Sequence, residues 1–302
     1  MITVAVTGAS GFIGTAVLST LPALGIQVRG ISRQEREANL FGADWCRVDD
    51  YADIPGLTSI LRGADIVLHL ADNPERGRTD GDGAAAAMAD ALISAMRLAG
   101  TRRVIVASSV YAREVPTGGS YPYARIKRTI ENRFLAAGDL QSVILRLPPV
   151  YGAGGKGGFG QLASLVLKGL PLPFGGAGAK RAYLSRNNLV DLLAAICAAD
   201  EAAWDIASGK CFEPSDGAPV STRDLVRMIA VVTGKPARLL AVPIPLLRLI
   251  GKVSGHAHVV EGAVGALQLA DISELEALFG WRPAETMPES LSFLQEHGAG
   301  AA

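Results

Sequence analysis

The chain has 302 residues, 49% of them apolar, enough to bury a large core as one big domain or two intimate lobes. Its 29 Lys and Arg balance 29 Asp and Glu, which excludes a global field that would gather nucleic acid or an anionic membrane. Mean hydropathy is high at +0.27, but the apolar runs are short or interrupted, against the roughly 20 residues needed to span a bilayer.

Ile2 to Val6 reads as a buried strand, and Thr7-Gly8-Ala9-Ser10-Gly11-Phe12-Ile13-Gly14 follows it directly. Gly8 suits a tight turn, Gly11 lets a diphosphate approach the backbone, and Gly14 lets a helix lie close to the sheet. The helix opens at Phe12 and Ile13, whose side chains suit packing while its first N–H groups and positive dipole end face the phosphates. The second strand, Ile26 to Ile31, runs into Ser32 and Arg33, with no carboxylate where an NAD-preferring site offers one to the ribose. Arg33, with Ser32 beside it, suits a 2′-phosphate instead, which tilts the expected cofactor from NAD toward NADP. Trp45 to Val48 is the third strand, ending at Asp49 and Asp50, where a strand end meets an adenine amino group.

Ala64 to Ala71 is the fourth strand, and the alanine-rich helix Gly83 to Leu98 follows it. Val104 to Ala107 leads into Ser108 and Ser109, so a fifth buried strand ends in hydroxyls, where a parallel sheet displays its chemistry. Tyr123 and Lys127 stand one helical turn apart and share a face, so the lysine can place its charge beside the phenol. Tyr121 has no lysine at that spacing. Ser109 is suited to hydrogen-bond a reacting hydroxyl or carbonyl while Tyr123 exchanges its proton and a nicotinamide exchanges hydride. Val143 to Leu147 is the sixth strand. Unalternating apolar runs separated by helical patterns predict an α/β fold with a doubly wound parallel sheet.

Beyond Pro148 the pattern loosens into the glycine-rich stretches Gly152 to Gly160 and Gly169 to Gly178, around a helix over Phe159 to Lys168. Asn188 to Ala199 is a further helix, and Trp204 to Ser208 is expected to return to the sheet. Helices near Thr222 to Val232 and Leu246 to Val253 build a smaller lobe. The expected division is residues 1–150 with 187–209 in the cofactor domain, and 151–186 with 210–302 in the lobe. Cys46, Cys197 and Cys211 form no ligand or redox pattern and read as reduced thiols. His69, His256, His258 and His297 form no metal cluster, and His69 reads as structural or cofactor-adjacent.

The glycine turn, His69-Leu70-Ala71, Ser108-Ser109, Tyr123 to Lys127 and Arg146-Leu147-Pro148-Pro149-Val150-Tyr151-Gly152, in this order, resemble the extended short-chain dehydrogenase/reductase family. The branch is that of nucleotide-sugar epimerases and dehydratases, UDP-glucose 4-epimerase-like. Arg181-Ala182-Tyr183-Leu184, Asn187 to Asp191 and Phe279-Gly280-Trp281-Arg282-Pro283 extend the resemblance over nearly the whole chain. It implies a Rossmann sheet with a smaller mixed α/β C-terminal substrate lobe, and NAD or NADP as cofactor. Ser109, Tyr123 and Lys127 take the catalytic roles, and Leu70, Ala71 and Pro148 stand beside the cofactor. Ser109, Lys156, Phe159 and Arg181 are expected around a nucleotide-diphosphate sugar. The resemblance also implies a homodimer, through Ala84 to Ala91 and Ile126 to Phe134; the reduced thiols point to a cytoplasmic location, and the balanced charge and short apolar runs to no nucleic-acid or membrane partner.

Departures from the branch shape the functional expectation. Gly158 stands where an asparagine precedes the phenylalanine, and the stretch between Ala71 and Gly83 is short. Tyr111 is followed by Ala112, not glycine. Ser109 is followed by Val110-Tyr111, not the Asp-Glu pair of a dehydratase. The leading expectation is a 4-epimerase acting at sugar C4. The alternatives are a 4-keto nucleotide-sugar reductase or other simple dehydrogenase/reductase, and a non-catalytic dinucleotide-binding regulator.

Overall fold

A computed structural model gives the fold and describes residues 1–34, 40–71, 81–113, 122–155 and 157–298. The first part alternates strands and helices: β1 (Thr3–Thr7), α1 (Phe12–Thr20), β2 (Gln27–Ser32), β3 (Asp44–Arg47), α2 (Ile54–Leu61), β4 (Ile66–His69), α3 (Gly81–Ala99), β5 (Arg103–Ser109), α4 (Pro122–Ala136) and β6 (Gln141–Leu147). There follow β7 (Val150–Tyr151), α5 (Gly158–Leu167), β8 (Lys180–Arg181), β9 (Leu184–Ser185), α6 (Arg186–Ala198), α7 (Glu201–Ala207), β10 (Cys211–Phe212), β11 (Val220–Ser221), α8 (Thr222–Thr233), α9 (Ile244–Val253), α10 (Ala257–Val264), α11 (Ser273–Phe279), α12 (Met287–Ser290) and α13 (Phe293–Gly298).

Seven strands form one parallel sheet in the order β10-β6-β5-β4-β1-β2-β3. Every residue of β1 and β4 is buried, as strands covered on both faces require. On one face Val67, Val104 and Val106 join Leu92 and Met96 of α3 and Ile126, Ile130 and Phe134 of α4 in a single apolar cluster. The order places β1 and β4 side by side, so the turn after β1 and the end of β4 lie together. No helix of the described residues is long and apolar enough to cross a membrane.

Trp204 to Ala207 is helical and Ser208 caps the helix, contrary to the expected strand. Asp200 accepts the Ala203 N–H (2.9 Å) as the N-cap of α7, and fully buried Trp204 anchors that helix, so a local cap overrides the apolar run. The returning strand is β10, paired parallel with β6 a few residues later. The chain divides into two compact units, 1–147 with 190–214 and 272–282, and 148–189 with 215–271 and 283–302. The first unit thus takes in β10 and α11, both placed in the lobe by the sequence expectation. Phe279 packs edge-on to Phe212 (6.0 Å), and Lys210 pairs with Glu274 (2.5 Å).

In the second unit, β7 pairs with β9 and β11 with β8. Its core gathers Tyr151, Phe159, Tyr183, Leu225, Ile229 and Leu291. Asp216 ties the short strands: it accepts the Tyr151 hydroxyl (2.8 Å), the Ser185 N–H (2.9 Å) and the Asn188 amide (2.7 Å). The helix faces nominated for a subunit contact are turned to the chain's own core, with Ala85, Met88, Ala89, Ile126, Ile130 and Phe134 all buried. Arg125–Asp82 (2.8 Å) and Arg133–Asp90 (3.6 Å) lace α3 to α4.

Candidate active site

The glycine turn has the geometry its spacing predicts. Gly8 is left-handed (φ +69°), and a Cβ there would lie 2.7 Å from the Ala71 nitrogen and 2.8 Å from the Leu70 carbonyl carbon. A Cβ at Gly14 would lie 2.4 Å from the Gly8 oxygen. The turn therefore lies against Leu70 and Ala71 at the end of β4, and only glycine fits both positions. Gly11 is the extended N-cap of α1 with no side chain to cap it, so the helix opening at Phe12 and Ile13 presents its N–H groups and dipole to the turn. A cradle that added carbons would fill, at an uncapped helix start, fits a dinucleotide diphosphate.

The neighbouring strand ends are less uniform. Ser32 is buried, accepting the Gln34 N–H (3.1 Å) and contacting the Ser10 hydroxyl (3.4 Å), whereas Arg33 is exposed. Asp49 pairs with Arg47 (2.8 Å), and Asp50 accepts the Ala52 N–H (3.0 Å), both exposed beyond β3. No motif in the sequence marks Tyr51. Its hydroxyl accepts the Gly8 N–H (3.0 Å) and donates to the Ile31 carbonyl (3.0 Å), and burial pushes its pKa up.

At the end of β5 the two serines divide. Ser108 donates to Glu131 (2.6 Å), and Ser109 accepts the Tyr111 N–H (3.4 Å) as the cap of a 3₁₀ turn. Lys127 is buried, donates to the Ala107 carbonyl (3.1 Å), and lies 5.8 Å from the centre of the half-buried Tyr123 ring. The helical spacing thus becomes a lysine fixed to the strand end with its charge beside the phenol. One turn further along α4, Glu131 is fully buried and held by Arg146 in a two-pronged pair (3.0 and 2.8 Å). The pairing raises the arginine's pKa further. Ser108, Glu131 and Arg146 therefore lock β5, α4 and β6 together one helical turn from Lys127.

His69 is buried at the end of β4, with Nδ1 2.8 Å from the Thr7 hydroxyl. Burial, assisted by the charge of Lys127, pushes its pKa down to about 3, so it is a neutral imidazole. Burial pushes the Cys197 thiol up to about 12, and Cys46 and Cys211 are also raised by burial, which suits inert thiols. Among the described residues no three His, Cys, Asp or Glu side chains converge as metal ligands.

The residues expected around a sugar nucleotide fare differently. Lys156 lies outside the described residues. Pro148 is buried immediately after β6. Phe159 is a core residue, 5.0 Å from the Tyr151 ring and 6.5 Å from Phe293. Arg181 is only 2% exposed and donates to the Gly265 and Glu261 carbonyls at the end of α10. A cation among the terminal carbonyls of a helix satisfies orphan acceptors and the negative dipole end, which accounts for this placement. The second unit also holds a cavity of about 90 Å³ beside Tyr151, Arg186, Asn187 and Ser290, lined by neither Phe159 nor Arg181.

Known proteins bear on this site. The chain matches the NAD dependent epimerase/dehydratase family over residues 4–207. It is 41% identical over 152 residues to a UDP-glucose 4-epimerase of Vibrio cholerae, across 50% of this chain and 44% of that relative, so it aligns with less than half of that protein. It is 30% identical over 254 residues to a 2-alkyl-3-oxoalkanoate reductase of Stenotrophomonas maltophilia, across 76% of each. Among solved structures, the UDP-glucose 4-epimerase of Thermus thermophilus in complex with NAD shares the fold with a TM-score of 0.72, at 24% identity and full coverage of both chains. A seven-stranded parallel sheet, the glycine cradle after its first strand and this match agree: the chain belongs to the NAD dependent epimerase/dehydratase family of enzymes.

Proposed function

We propose that the protein is an NAD(P)-dependent 4-epimerase-like oxidoreductase acting at C4 of a nucleotide-linked sugar, with Tyr123 as proton-exchanging group. The observation that carries this reading is the Lys127 ammonium, fixed on the Ala107 carbonyl and set 5.8 Å from the Tyr123 ring. Gly8, Gly11 and Gly14, with the start of α1, would hold the dinucleotide. A bound nicotinamide supplies hydride uptake and return. Tyr123 in its phenolate form takes the proton from the C4 hydroxyl and later gives it back to the C4 oxygen, and Lys127 stabilises the negative charge carried before the proton arrives and after it leaves. Ser109 orients the same oxygen by hydrogen bonding. Exposed Arg33 is the residue suited to an NADP 2′-phosphate, and Asp49 or Asp50 to the adenine amino group. The three free thiols fit a cytoplasmic site of action. The branch resemblance supports a homodimer.

The test is turnover of UDP-glucose, UDP-galactose and their N-acetyl forms by purified protein beside a Tyr123→Phe control. We expect the control to be slower by about 10² to 10⁴, the usual worth of a positioned acid-base. Equal rates for the two proteins overturn the proposal.

A second reading, a reductase of a carbonyl compound, is favoured by Arg181, whose guanidinium is given to helix carbonyls. The Stenotrophomonas maltophilia reductase, aligned over 76% of each chain, supports it as well. The same assay separates the two. An epimerase turns over with no net use of added cofactor, whereas a reductase consumes it in proportion to product.

A further inference from the structure

We propose that Tyr51 is a positioning residue of the dinucleotide site, its phenol pinning the glycine turn to the end of β2. The inference rests on the dinucleotide reading above and deepens it. Three segments are assigned to the cofactor: the turn Gly8 to Gly14, the β2 end at Ser32 and Arg33, and the β3 end at Asp49 and Asp50. Tyr51 is the next residue of the third segment and joins the other two. Its hydroxyl accepts from the Gly8 N–H and donates to the Ile31 carbonyl, each at 3.0 Å.

Two further links between turn and strand are longer: the Ala9 N–H reaches the same Ile31 carbonyl at 3.4 Å, and the Ser32 hydroxyl meets that of Ser10 at 3.4 Å. A hydroxyl can serve both partners because it is at once donor and acceptor, which no other side chain does from a ring of this length. The ring itself packs against the apolar cluster under the sheet, alongside Ile54 and Leu57, so the hydroxyl is delivered from a fixed base. Gly8 is the residue whose left-handed backbone lies against Ala71, and its position sets where the turn begins. With the Gly8 N–H already taken, the diphosphate is left to the N–H groups of the helix start. Tyr51 therefore acts through the turn, holding the cradle in its binding shape before the ligand arrives.

The test is Tyr51→Phe, which keeps the ring and removes only the hydroxyl. NAD binding is measured by titration calorimetry, and steady-state rates are measured at saturating NAD. Leaving the Gly8 N–H and the Ile31 carbonyl without this partner is expected to raise the NAD Kd about tenfold, with kcat within about twofold of wild type. A variant that melts earlier yet binds NAD as tightly as wild type overturns the proposal, because its hydroxyl would then serve only the fold. An equal fall in kcat at saturating NAD, with Kd unchanged, overturns it as well. If Tyr51→Phe does not fold, Tyr51→Met, which fills the apolar seat and carries no hydroxyl, makes the same comparison: wild-type Kd from it overturns the proposal. Failure of the wild-type protein to bind NAD or NADP would instead overturn the dinucleotide reading itself.

Discussion

The two compact units treat their polar residues in opposite ways. In the first, the groups picked out for chemistry lie at or against strand ends: the glycine cradle after β1, Ser109 closing β5, and on α4 the Tyr123 and Lys127 pair, whose lysine donates to the Ala107 carbonyl of β5. In the second, Arg181 and Phe159, picked out by resemblance, are taken into the interior by a helix end and an aromatic cluster. A parallel sheet forces its chemistry to the carboxyl ends of its strands, whatever the surrounding sequence. A lobe of two-residue strands has no such rule, and its charged residues go wherever carbonyls need donors.

The sharpest way to break this contrast is at Glu131, the buried support of the first unit. Glu131→Gln keeps the shape but removes the charge facing Arg146 and Ser108. Removing one partner of a buried pair leaves the other uncompensated, and about 3–5 kcal/mol of stability is expected to go. Urea unfolding reads this as a lowered midpoint at unchanged slope. A loss under about 1 kcal/mol would mean that the strand ends are held by packing alone, and that the Ser108, Glu131 and Arg146 network is incidental.

Much of the first unit was legible in the sequence because each of its signals has a local cause. A glycine that must be left-handed, a serine pair ending an apolar strand, and a tyrosine with a lysine one turn on can all be read without knowing the fold. Tyr51 was not legible, since its partners Gly8 and Ile31 are 43 and 20 positions away and meet it only once β1, β2 and β3 pair. Glu131 was hidden for the same reason: Arg146 and Ser108 reach it only through the β5–β6 register. In the second unit Arg181 has the neighbours expected of a phosphate-binding arginine. Its actual acceptors lie 80 and 84 positions away, at the end of α10. Trp204 misled in another way, because an apolar run of strand length also fits one buried helix face once Asp200 caps it.

Arg181 gives the next largest test. If it is a helix-end cap, Arg181→Gln should cost about 2–3 kcal/mol of stability, the range for charged hydrogen bonds to a helix's last carbonyls. The same variant should leave the KM for a turned-over substrate within about threefold. A KM raised more than about tenfold, with the melting temperature unchanged, would put the guanidinium on the substrate. The contrast between the units would then fail at its clearest residue, and the sugar-nucleotide reading would gain over the carbonyl reductase.

His69 tests the strand-end side more gently, through pH. Its pKa is held at about 3 in the folded protein, against 6.5 for a free imidazole, by burial first and the Lys127 charge second. The folded state therefore refuses a proton that the unfolded chain accepts below 6.5. This contribution is fully present above that pH and is lost progressively as pH falls toward 3. Near pH 5 the loss from this one group amounts to about 2 kcal/mol, at roughly 1.4 kcal/mol per pH unit. Other groups titrate over the same range, so the measurement is a difference: urea unfolding of wild type and His69→Asn near pH 8 and again near pH 5. Asparagine takes up no proton, and the gap between the two proteins should move in the variant's favour by about that amount on acidification. A gap that does not move would mean that His69 protonates in place, which requires water to reach the end of β4 beside Thr7 and Lys127. The strand end would then be wet where the buried imidazole indicates that it is dry, and Lys127 would be less strongly coupled to the Tyr123 phenol than the 5.8 Å geometry implies.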